Sequence, residues 1–314
     1  MVEVVPERQN VGSTVSDEYS LLLAKLQKQR RTYRTVEELR AAQDAPSLRW
    51  TTPDTWTTTV EGGTTIVWPR GVAAAGEATL VYFHGGGFVS GRPRGYMRLA
   101  EALAASIGAS KIAMPQYRLG PEYPFPIGEA DCAEAYRAVV DRVGGATSLV
   151  VAGDSAGANL AAHVLSGLPS RENVLPAAVV LLSPWAMPSG VRDRTDSTDR
   201  DPLVSVENLS VMARWYLRDL PPASADVVPR MGDSRFPPTL VHVGGDEVLR
   251  PDAELLVDAL RRNGTSVSLQ VWPGMSHVWH LFLDLVPEAI EAVNEIGAFV
   301  SRLPWPGTGT GGDE

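Results

Sequence analysis

The chain alternates between short segments that are almost continuously apolar and longer segments in which apolar residues recur at helical spacing. Segments of the first kind predict strands buried on both faces, and segments of the second kind predict amphipathic helices. The predicted inner strands are ATLVYF, SKIAMPQY, SLVVA, AAVVLLS, TLVHVGG and SVSLQVW. The predicted helices cover residues 95–107, 127–143, the segment after Ser155, residues 252–262 and a last segment that ends near Leu303. This alternation predicts an α/β fold with a mostly parallel, doubly wound sheet.

Two regions add to this unit. Residues 1–50 are predicted to form an N-terminal helical cap segment, because residues 17–44 place apolar side chains at helical spacing. An insertion at about residues 186–225 is rich in Asp, Arg and Pro and contains the amphipathic stretch VENLSVMARWYL, so it predicts a lid. The catalytic domain is therefore placed at residues 51–304.

The two ends of the catalytic domain have their own patterns. Residues 55–68 predict a hairpin, since two runs of β-branched residues flank a glycine turn. Residues 305–314 are rich in Gly and polar residues and predict a disordered tail.

Composition limits the partners and the compartment. A chain of 314 residues with 44% hydrophobic residues can build one large core, and a formal net charge of −9 argues against nucleic acid and anionic membranes as partners. The single cysteine, Cys132, excludes an internal disulfide and is predicted to be a small core residue. The first residues lack the layout of a signal peptide, so a cytoplasmic location is expected. No cofactor is expected, and no metal, since no His/Cys/Asp cluster has ligand spacing.

The stretch LVVAGDSAGANLAAHV contains a serine between two glycines at a strand-to-helix turn. The pattern Gly-x-Ser-x-Gly alone is weak evidence in a chain with 29 glycines, and a partial match at Gly232-Asp233-Ser234 lacks both flanking elements. At Ser155 the flanking strand and helix are both predicted, so this serine is the candidate nucleophile. The amide of Ala156, at the start of the helix, is a candidate donor to an oxyanion.

A second set of donors is predicted in HGGGF, residues 84–88, directly after the strand ATLVYF. Consecutive glycines let the main chain approach a ligand, and this arrangement is typical of an oxyanion loop. Gly86 and Gly87 are the predicted donors, while His84 is predicted to hold the loop. Phe88 and Trp185 are candidate walls of the substrate pocket.

A serine nucleophile needs a base, and the chain has five histidines. His84 belongs to the glycine loop, and His163 and His242 are predicted to be structural residues of a helix and a strand. The remaining two follow the last predicted strand, where active sites of parallel sheets assemble. His277 is preferred to His280 because it precedes the next helix.

The acid that orients the base is expected after the preceding strand, TLVHVGG. Asp246 follows that strand directly and is the predicted residue, with Glu247 and Asp252 as the alternatives. Glu247 is expected to point elsewhere, and Asp252 is expected to cap the next helix. The chain order Ser155, Asp246, His277 is typical of α/β-hydrolases.

Together these motifs resemble the hormone-sensitive lipase family of α/β-hydrolase esterases, from about Thr55 to Leu303. The resemblance rests on HGGGF, YRLGPEYPFP, GDSAG, SPW, DEVL and HVWH. It implies the α/β-hydrolase fold and the same triad and oxyanion residues, with a cap over an acyl pocket made by residues 1–50 and 186–225. Two positions depart from the family pattern: Ala158 replaces a usual glycine, and Met187 stands where many members have an aspartate.

The expected function is hydrolysis of small, short-chain carboxylic esters by a carboxylesterase, with a small ester as the expected partner and a homodimer left open. Two alternatives remain. The same triad could serve a lactonase or a deacetylase acting on a natural product. The fold is also reused by non-catalytic receptors of small molecules, although such receptors typically lose the histidine.

Overall fold

A computed structural model describes residues 15–43, 56–168, 174–189, 201–231 and 236–305. Eight strands of these residues form one sheet in the order β1-β2-β4-β3-β5-β6-β7-β8. The strands are β1 (Thr57–Glu61), β2 (Thr64–Trp68), β3 (Thr79–Phe83), β4 (Lys111–Gln116), β5 (Leu149–Asp154), β6 (Ala178–Leu182), β7 (Thr239–Gly244) and β8 (Val267–Trp272). The predicted hairpin forms β1 and β2.

The sheet is mostly parallel, as the alternation of strands and helices predicts. Strands β3 to β8 pair in parallel, whereas β1 with β2 and β2 with β4 are antiparallel. Since parallel strands end at the same edge, the segments that follow β3, β5, β6, β7 and β8 meet there.

Both faces of the sheet are covered, which explains why the inner strands are apolar without alternation. In β3, Val81 and Phe83 belong to the core on one face, while Leu80 and Tyr82 belong to the core on the other. A strand with only one buried face would carry polar residues at every second position. Apolar side chains of the inner strands therefore pack into a core on each face of the sheet.

The helices match the predicted segments closely. Their bounds are α1 (Asp17–Gln29), α2 (Val36–Gln43), α3 (Pro93–Ile107), α4 (Ile127–Val143), α5 (Ala156–Ser166), α6 (Val206–Leu217), α7 (Arg250–Arg262) and α8 (Pro287–Val300). Cys132 lies on α4 and is fully buried, as predicted. In the described part of the chain, no helix combines the length and apolar composition needed to span a bilayer.

The N-terminal segment packs on the catalytic domain and on the insertion. Ser16, the N-cap of α1, donates from its N–H and its hydroxyl to Glu288 on α8. The side chain of Asn208, on α6, accepts the N–H of Tyr33 and donates to the carbonyl of Arg31. The segment between α1 and α2 is therefore joined to the insertion after β6 by hydrogen bonds.

Parts of the predicted N-terminal segment, insertion and tail lie on residues that the structure does not describe. Residues 1–14, 44–55, 190–200 and 232–235 lie outside the described ranges, as do residues 169–173 and 306–314. Trp305, the first residue of the predicted tail, is buried, and its indole N–H donates to the carbonyl of Ile107 at 2.8 Å. This residue belongs to the folded domain rather than to a disordered tail.

Candidate active site

The serine between two glycines lies on a sharp turn between β5 and α5. Ser155 has φ 53° and ψ −119°, a conformation that costs energy for a residue with a side chain. Its N–H donates to the carbonyl of Leu182, and its carbonyl accepts the N–H of Trp185. The chain around the end of β6 therefore holds the strained turn. A nucleophile elbow has this geometry, in which the serine hydroxyl is presented above the end of the sheet.

Close approach of the main chain explains the two glycines. A Cβ at Gly153 would lie 2.5 Å from the carbonyl oxygen of Gly157, and a Cβ at Gly157 would overlap the carbonyl oxygen of Phe83. The first turn of α5 can thus pack directly against the end of β3, where the loop HGGGF begins. The motif is a steric requirement for bringing the serine turn and the glycine loop together.

We expect Gly157→Ala to lower the free energy of unfolding by about 1–3 kcal/mol, because the added methyl group must displace main-chain atoms. Denaturant titration followed by circular dichroism measures the change. Gly95→Ala is the matched control, since Gly95 lies on α3 with no atom within 4 Å of an added Cβ. That control should be neutral or should stabilise the helix by up to about 1 kcal/mol. Equal stability of the two variants would contradict the steric explanation.

The glycine loop is held by the residue that precedes the serine. The carboxylate of Asp154 accepts the N–H of Gly85 at 2.9 Å and the hydroxyl of Tyr82 at 2.7 Å. Burial raises the pKa of Asp154 to about 6, although these hydrogen bonds act in the opposite direction. The same short segment therefore carries the candidate nucleophile and anchors the loop that faces it.

The three predicted oxyanion donors lie at this junction. Gly86 and Gly87 have φ values of 115° and 64°, so the loop depends on conformations that favour glycine. A Cβ at Gly87 would overlap the sulfur of Met212 on α6. Ala156 is the first residue of α5, where an amide has no acceptor within its own helix.

His84 fixes the loop and is unsuited to proton transfer. Its ring stacks between Tyr96 and Tyr117, with centroids 5.4 and 4.4 Å away. The Tyr117 hydroxyl donates to the carbonyl of His84 at 2.6 Å. Burial lowers the pKa of His84 to about 4, which keeps the ring neutral at ordinary pH. The arrangement agrees with the predicted role of a loop anchor.

The structure corrects the predicted acid. Nδ1 of His277 lies 3.0 Å from Oε2 of Glu247, which is fully buried, so Glu247 rather than Asp246 is the carboxylate on the imidazole. The main chain turns after β7, where the N–H groups of Gly245 and Asp246 donate to carbonyls of the β8 loop. This turn directs Glu247 inward, and its Oε1 accepts the N–H of Gly244 at 2.8 Å. The expectation that Glu247 points elsewhere, on an extended or a turning chain, was wrong.

Two hydrogen bonds join the His277 loop to the serine turn through the segment after β6. The N–H of Val278 donates to the hydroxyl of Ser183 at 3.1 Å, and the N–H of Trp185 donates to the carbonyl of Ser155 at 3.1 Å. Ser183 and Val278 have φ values of 47° and 45°, so this edge holds two strained residues besides Ser155. Ser155 and His277 are each 7% exposed.

Comparisons with known proteins agree with this fold. A family model described as alpha/beta hydrolase fold matches residues 80–281. An acetyl-hydrolase of Streptomyces hygroscopicus is 37% identical over 241 residues, which are 76% of this chain and 80% of that protein. The crystal structure of an esterase from the bacterial hormone-sensitive lipase family is 29% identical with a TM-score of 0.81, covering 92% of this chain and 99% of that one.

This chain belongs to the hormone-sensitive lipase family of α/β-hydrolase esterases. It is a carboxylic ester hydrolase. A further solved structure, soaked with p-nitrophenyl butyrate, is 27% identical with a TM-score of 0.78, covering 94% of this chain and 100% of that one.

Electrostatics in this esterase raise the pKa of the His277 imidazole. Burial alone would lower the pKa of His277, but the hydrogen bond to Glu247 and the negative charges of Glu247, Asp201 and Asp154 raise the pKa above its usual value. A base of this kind accepts the proton of a serine hydroxyl more readily than a free histidine does.

Sequence reasoning missed Asp201, which lies in the insertion after β6. Asp201 is fully buried, and its Oδ2 accepts the N–H of His277 at 3.3 Å. Its Oδ1 accepts the N–H of Leu203 at 2.9 Å. In the sequence Asp201 is one of four aspartates in the stretch RDRTDSTDRDP, so nothing in the pattern distinguishes it. Only the fold shows that Asp201 of the insertion contacts His277.

His163 and His242 have the structural surroundings that the sequence predicts, and His280, the alternative to His277, packs beside His242. Nδ1 of His242 lies 3.2 Å from Nε2 of His280, and both rings pack beside Trp279. Burial lowers the pKa of His242 to about 3. The ring of His163 packs edge-on against Phe125, and burial lowers its pKa to about 4. None of these three rings is placed to act as the base.

Aromatic rings of the esterase lie against the glycine loop. Phe88 follows the loop, its ring stacks on Tyr216 at 4.3 Å, and Trp185 lies 5.3 Å away. All three are buried, and Tyr216 lies on α6 of the insertion. The two predicted pocket residues are therefore neighbours, and a ring of the insertion packs against Phe88.

The insertion is also anchored at Met187, one of the two departures from the family pattern. The N–H of Met187 donates to Oδ2 of Asp252 at 2.8 Å. Asp252 lies in the first turn of α7, so it serves this contact between segments rather than capping its own helix. A main-chain N–H thus anchors the insertion at a position where the side chain is apolar.

One group of described residues has ligand-type atoms close together. Atoms of Asp201, Glu247 and His277 lie within 4.8 Å of one another. Their hydrogen bonds to each other and to main-chain N–H groups account for this spacing. We therefore assign the group to acid–base chemistry rather than to metal binding.

Proposed function

We propose that this esterase hydrolyses small, short-chain carboxylic esters by acyl transfer through Ser155, with His277 as base and Glu247 as the residue that orients it. The observation that carries the proposal is the buried contact between Nδ1 of His277 and Glu247 in a loop joined to the Ser155 elbow. A carboxylate only accepts hydrogen bonds, so we assign the imidazole proton to Nδ1. Nε2 is then the acceptor for the serine hydroxyl.

The reaction follows from these roles. Nε2 of His277 removes the Ser155 proton as Oγ forms a bond to the ester carbonyl carbon. The carbonyl oxygen becomes an oxyanion, which the amides of Gly86, Gly87 and Ala156 are proposed to stabilise. The imidazolium gives its proton to the leaving alkoxide, which departs as an alcohol and leaves an acyl group on Oγ. A water molecule, deprotonated by His277, then forms a bond to the acyl carbon. The bond from that carbon to Oγ breaks, the acid leaves, and the imidazolium returns its proton to Oγ.

The packing of the aromatic rings supports a short acyl group. Phe88, Trp185 and Tyr216 fill space beside the glycine loop, which leaves less length for a long chain. The structure soaked with p-nitrophenyl butyrate is that of a relative with this fold, so butyrate and acetate esters are suitable first probes. We expect hydrolysis of p-nitrophenyl acetate and butyrate to exceed that of the decanoate. Equal or faster hydrolysis of the decanoate would contradict the short pocket.

A second candidate is removal of an acetyl group from a natural product. The acetyl-hydrolase relative, at 37% identity, favours it. The same triad would act, and only the alcohol or amine part of the substrate would differ. Turnover of acetylated alcohols, acetylated amides and lactones beside simple esters separates these substrate classes.

A covalent probe tests the serine chemistry and separates an enzyme from a receptor. A fluorophosphonate reacts with an activated serine, so mass spectrometry should find one adduct on the peptide that contains Ser155. Prior treatment should abolish hydrolysis of p-nitrophenyl butyrate. Tight binding of a ligand without an adduct or turnover would overturn the proposal and favour a receptor.

A further inference from the structure

The insertion after β6 places a second carboxylate beside His277. Asp201 is fully buried, and its Oδ2 accepts the main-chain N–H of His277 at 3.3 Å. Its other oxygen accepts the N–H groups of Leu203 and Val204 at 2.9 and 3.3 Å. The side chain is therefore fixed by its own segment on one side and by the histidine loop on the other.

The charge of Asp201 matters because of what surrounds it. Among the described residues, Asp201 and Glu247 form no ion pair with a lysine or arginine, and protonated His277 is the cation of these residues that faces both. Two buried carboxylates within 4.8 Å of an imidazole atom stabilise its charged form more than one does. Burial raises the pKa of Asp201 to about 6, so its carboxylate is ionised at pH 7 and above.

Other groups also face His277 and must be separated from this effect. Glu247 comes from the loop after β7, Asp154 from the end of β5, and His280 from the turn that follows His277. Tyr19, on α1, contacts the same loop, because its hydroxyl donates to Ser276 and accepts the Ser276 N–H. Asp201 differs from all of these because it is the carboxylate carried by the insertion.

We propose that Asp201 is a positioning residue through which the insertion after β6 holds the His277 loop and stabilises the imidazolium formed during ester cleavage. The inference rests on the proposed function, because it needs His277 to act as the base. Glu247 orients the ring through Nδ1, whereas Asp201 acts on the main chain and through its charge. The base is therefore at full strength only when the insertion is packed on the catalytic domain.

The test is the pH dependence of kcat/KM in Asp201→Asn. Asparagine removes the charge and keeps one accepting oxygen, which can serve either the His277 N–H or the N–H groups of Leu203 and Val204, but not both sides. Loss of the negative charge makes the imidazolium less stable, so the pKa of His277 falls. The acid limb, which is the part of the pH profile where kcat/KM rises as His277 loses its proton, therefore moves to lower pH by about 0.5–1 unit. We expect kcat at pH 8 to fall about 3- to 10-fold, since one pKa unit corresponds to a factor of ten in stabilisation of the charged form. KM should change less than kcat.

Tyr19→Phe is the matched control. It removes the hydroxyl contacts with Ser276 in the same loop but no charge, so the acid limb should stay in place even if kcat or stability falls. A shift of the limb in Tyr19→Phe as large as in Asp201→Asn would assign the effect to loop displacement and overturn the role of the charge. An unchanged limb in Asp201→Asn would overturn it as well. If Asp201→Asn fails to fold, Asp201→Ser supplies the same readout.

The outcomes also separate this inference from the proposed function. Wild-type protein that hydrolyses no ester and forms no Ser155 adduct refutes the proposed function. Active wild-type protein with the adduct, combined with an unchanged acid limb in Asp201→Asn, refutes only the role of Asp201.

Discussion

Replacing Ser155 with alanine should lower kcat for p-nitrophenyl butyrate by roughly 10⁴- to 10⁶-fold, as expected when a nucleophile that acts as a unit with its base is removed. Ser183 at this edge also has a positive φ, but it begins no helix and its hydroxyl accepts the N–H of Val278. Among the described residues, Ser155 is thus the hydroxyl residue that combines a strained turn with the start of a helix. Residual hydrolysis would come from the oxyanion donors and from binding alone. Steady-state rates with long incubations and repurified protein measure the loss.

The control for this experiment is Ser166→Ala, at the other end of the same helix. The Ser166 hydroxyl donates to the carbonyl of His163 at 2.9 Å, far along α5 from the elbow. We expect the control to keep wild-type kcat within about twofold, since surface substitutions usually change little. Retention of more than a few per cent of kcat in Ser155→Ala would mean that the esterase activity uses another nucleophile. The fold assignment would survive that result, but the mechanism would not.

The second large effect concerns the acid. Glu247→Gln should lower kcat about 10³- to 10⁴-fold, the size of loss found when the acid of such a triad becomes an amide. The amide can donate to Nδ1 and so favours the tautomer whose Nε2 carries the proton. That tautomer cannot accept the proton of Ser155. The loss of charge also lowers the pKa of His277, so any remaining activity should have its acid limb at lower pH.

Asp246→Asn is the control that decides between the two neighbouring acids. Because Glu247 occupies the contact with His277, we expect Asp246→Asn to keep kcat within a few-fold of wild type. A larger loss in Asp246→Asn than in Glu247→Gln would restore the acid expected from the sequence. Measurement of both variants with the same substrate and over the same pH range makes the comparison direct.

These two acids show where a sequence stops being sufficient. The pattern located the acid to a loop of a few residues, because the segment after β7 must end at the active edge of a parallel sheet. It could not choose between Asp246 and Glu247, since the choice depends on main-chain hydrogen bonds to the β8 loop. Those bonds turn the chain and send the longer side chain inward, where Glu247 reaches Nδ1.

The insertion shows a different limit. Its helix could be predicted, and α6 covers Val206–Leu217 as the amphipathic stretch indicates. The contacts of the insertion could not be predicted, because they join residues that are far apart in sequence. Asp201 meets His277 across 76 positions, and Tyr19 meets Ser276 across 257. No local propensity carries information about such pairs.

The sequence by itself determined the layers of this protein, the elbow at Ser155 and the glycine loop. These features follow from local rules: apolar periodicity, the need for glycine where backbones approach, and the shared edge at which parallel strands end. The tertiary structure alone decided which carboxylate supports His277 and that the insertion supplies a second one. Hydrogen bonds and charge in a buried site depend on distances of a few ångströms, and only the packed chain sets those distances.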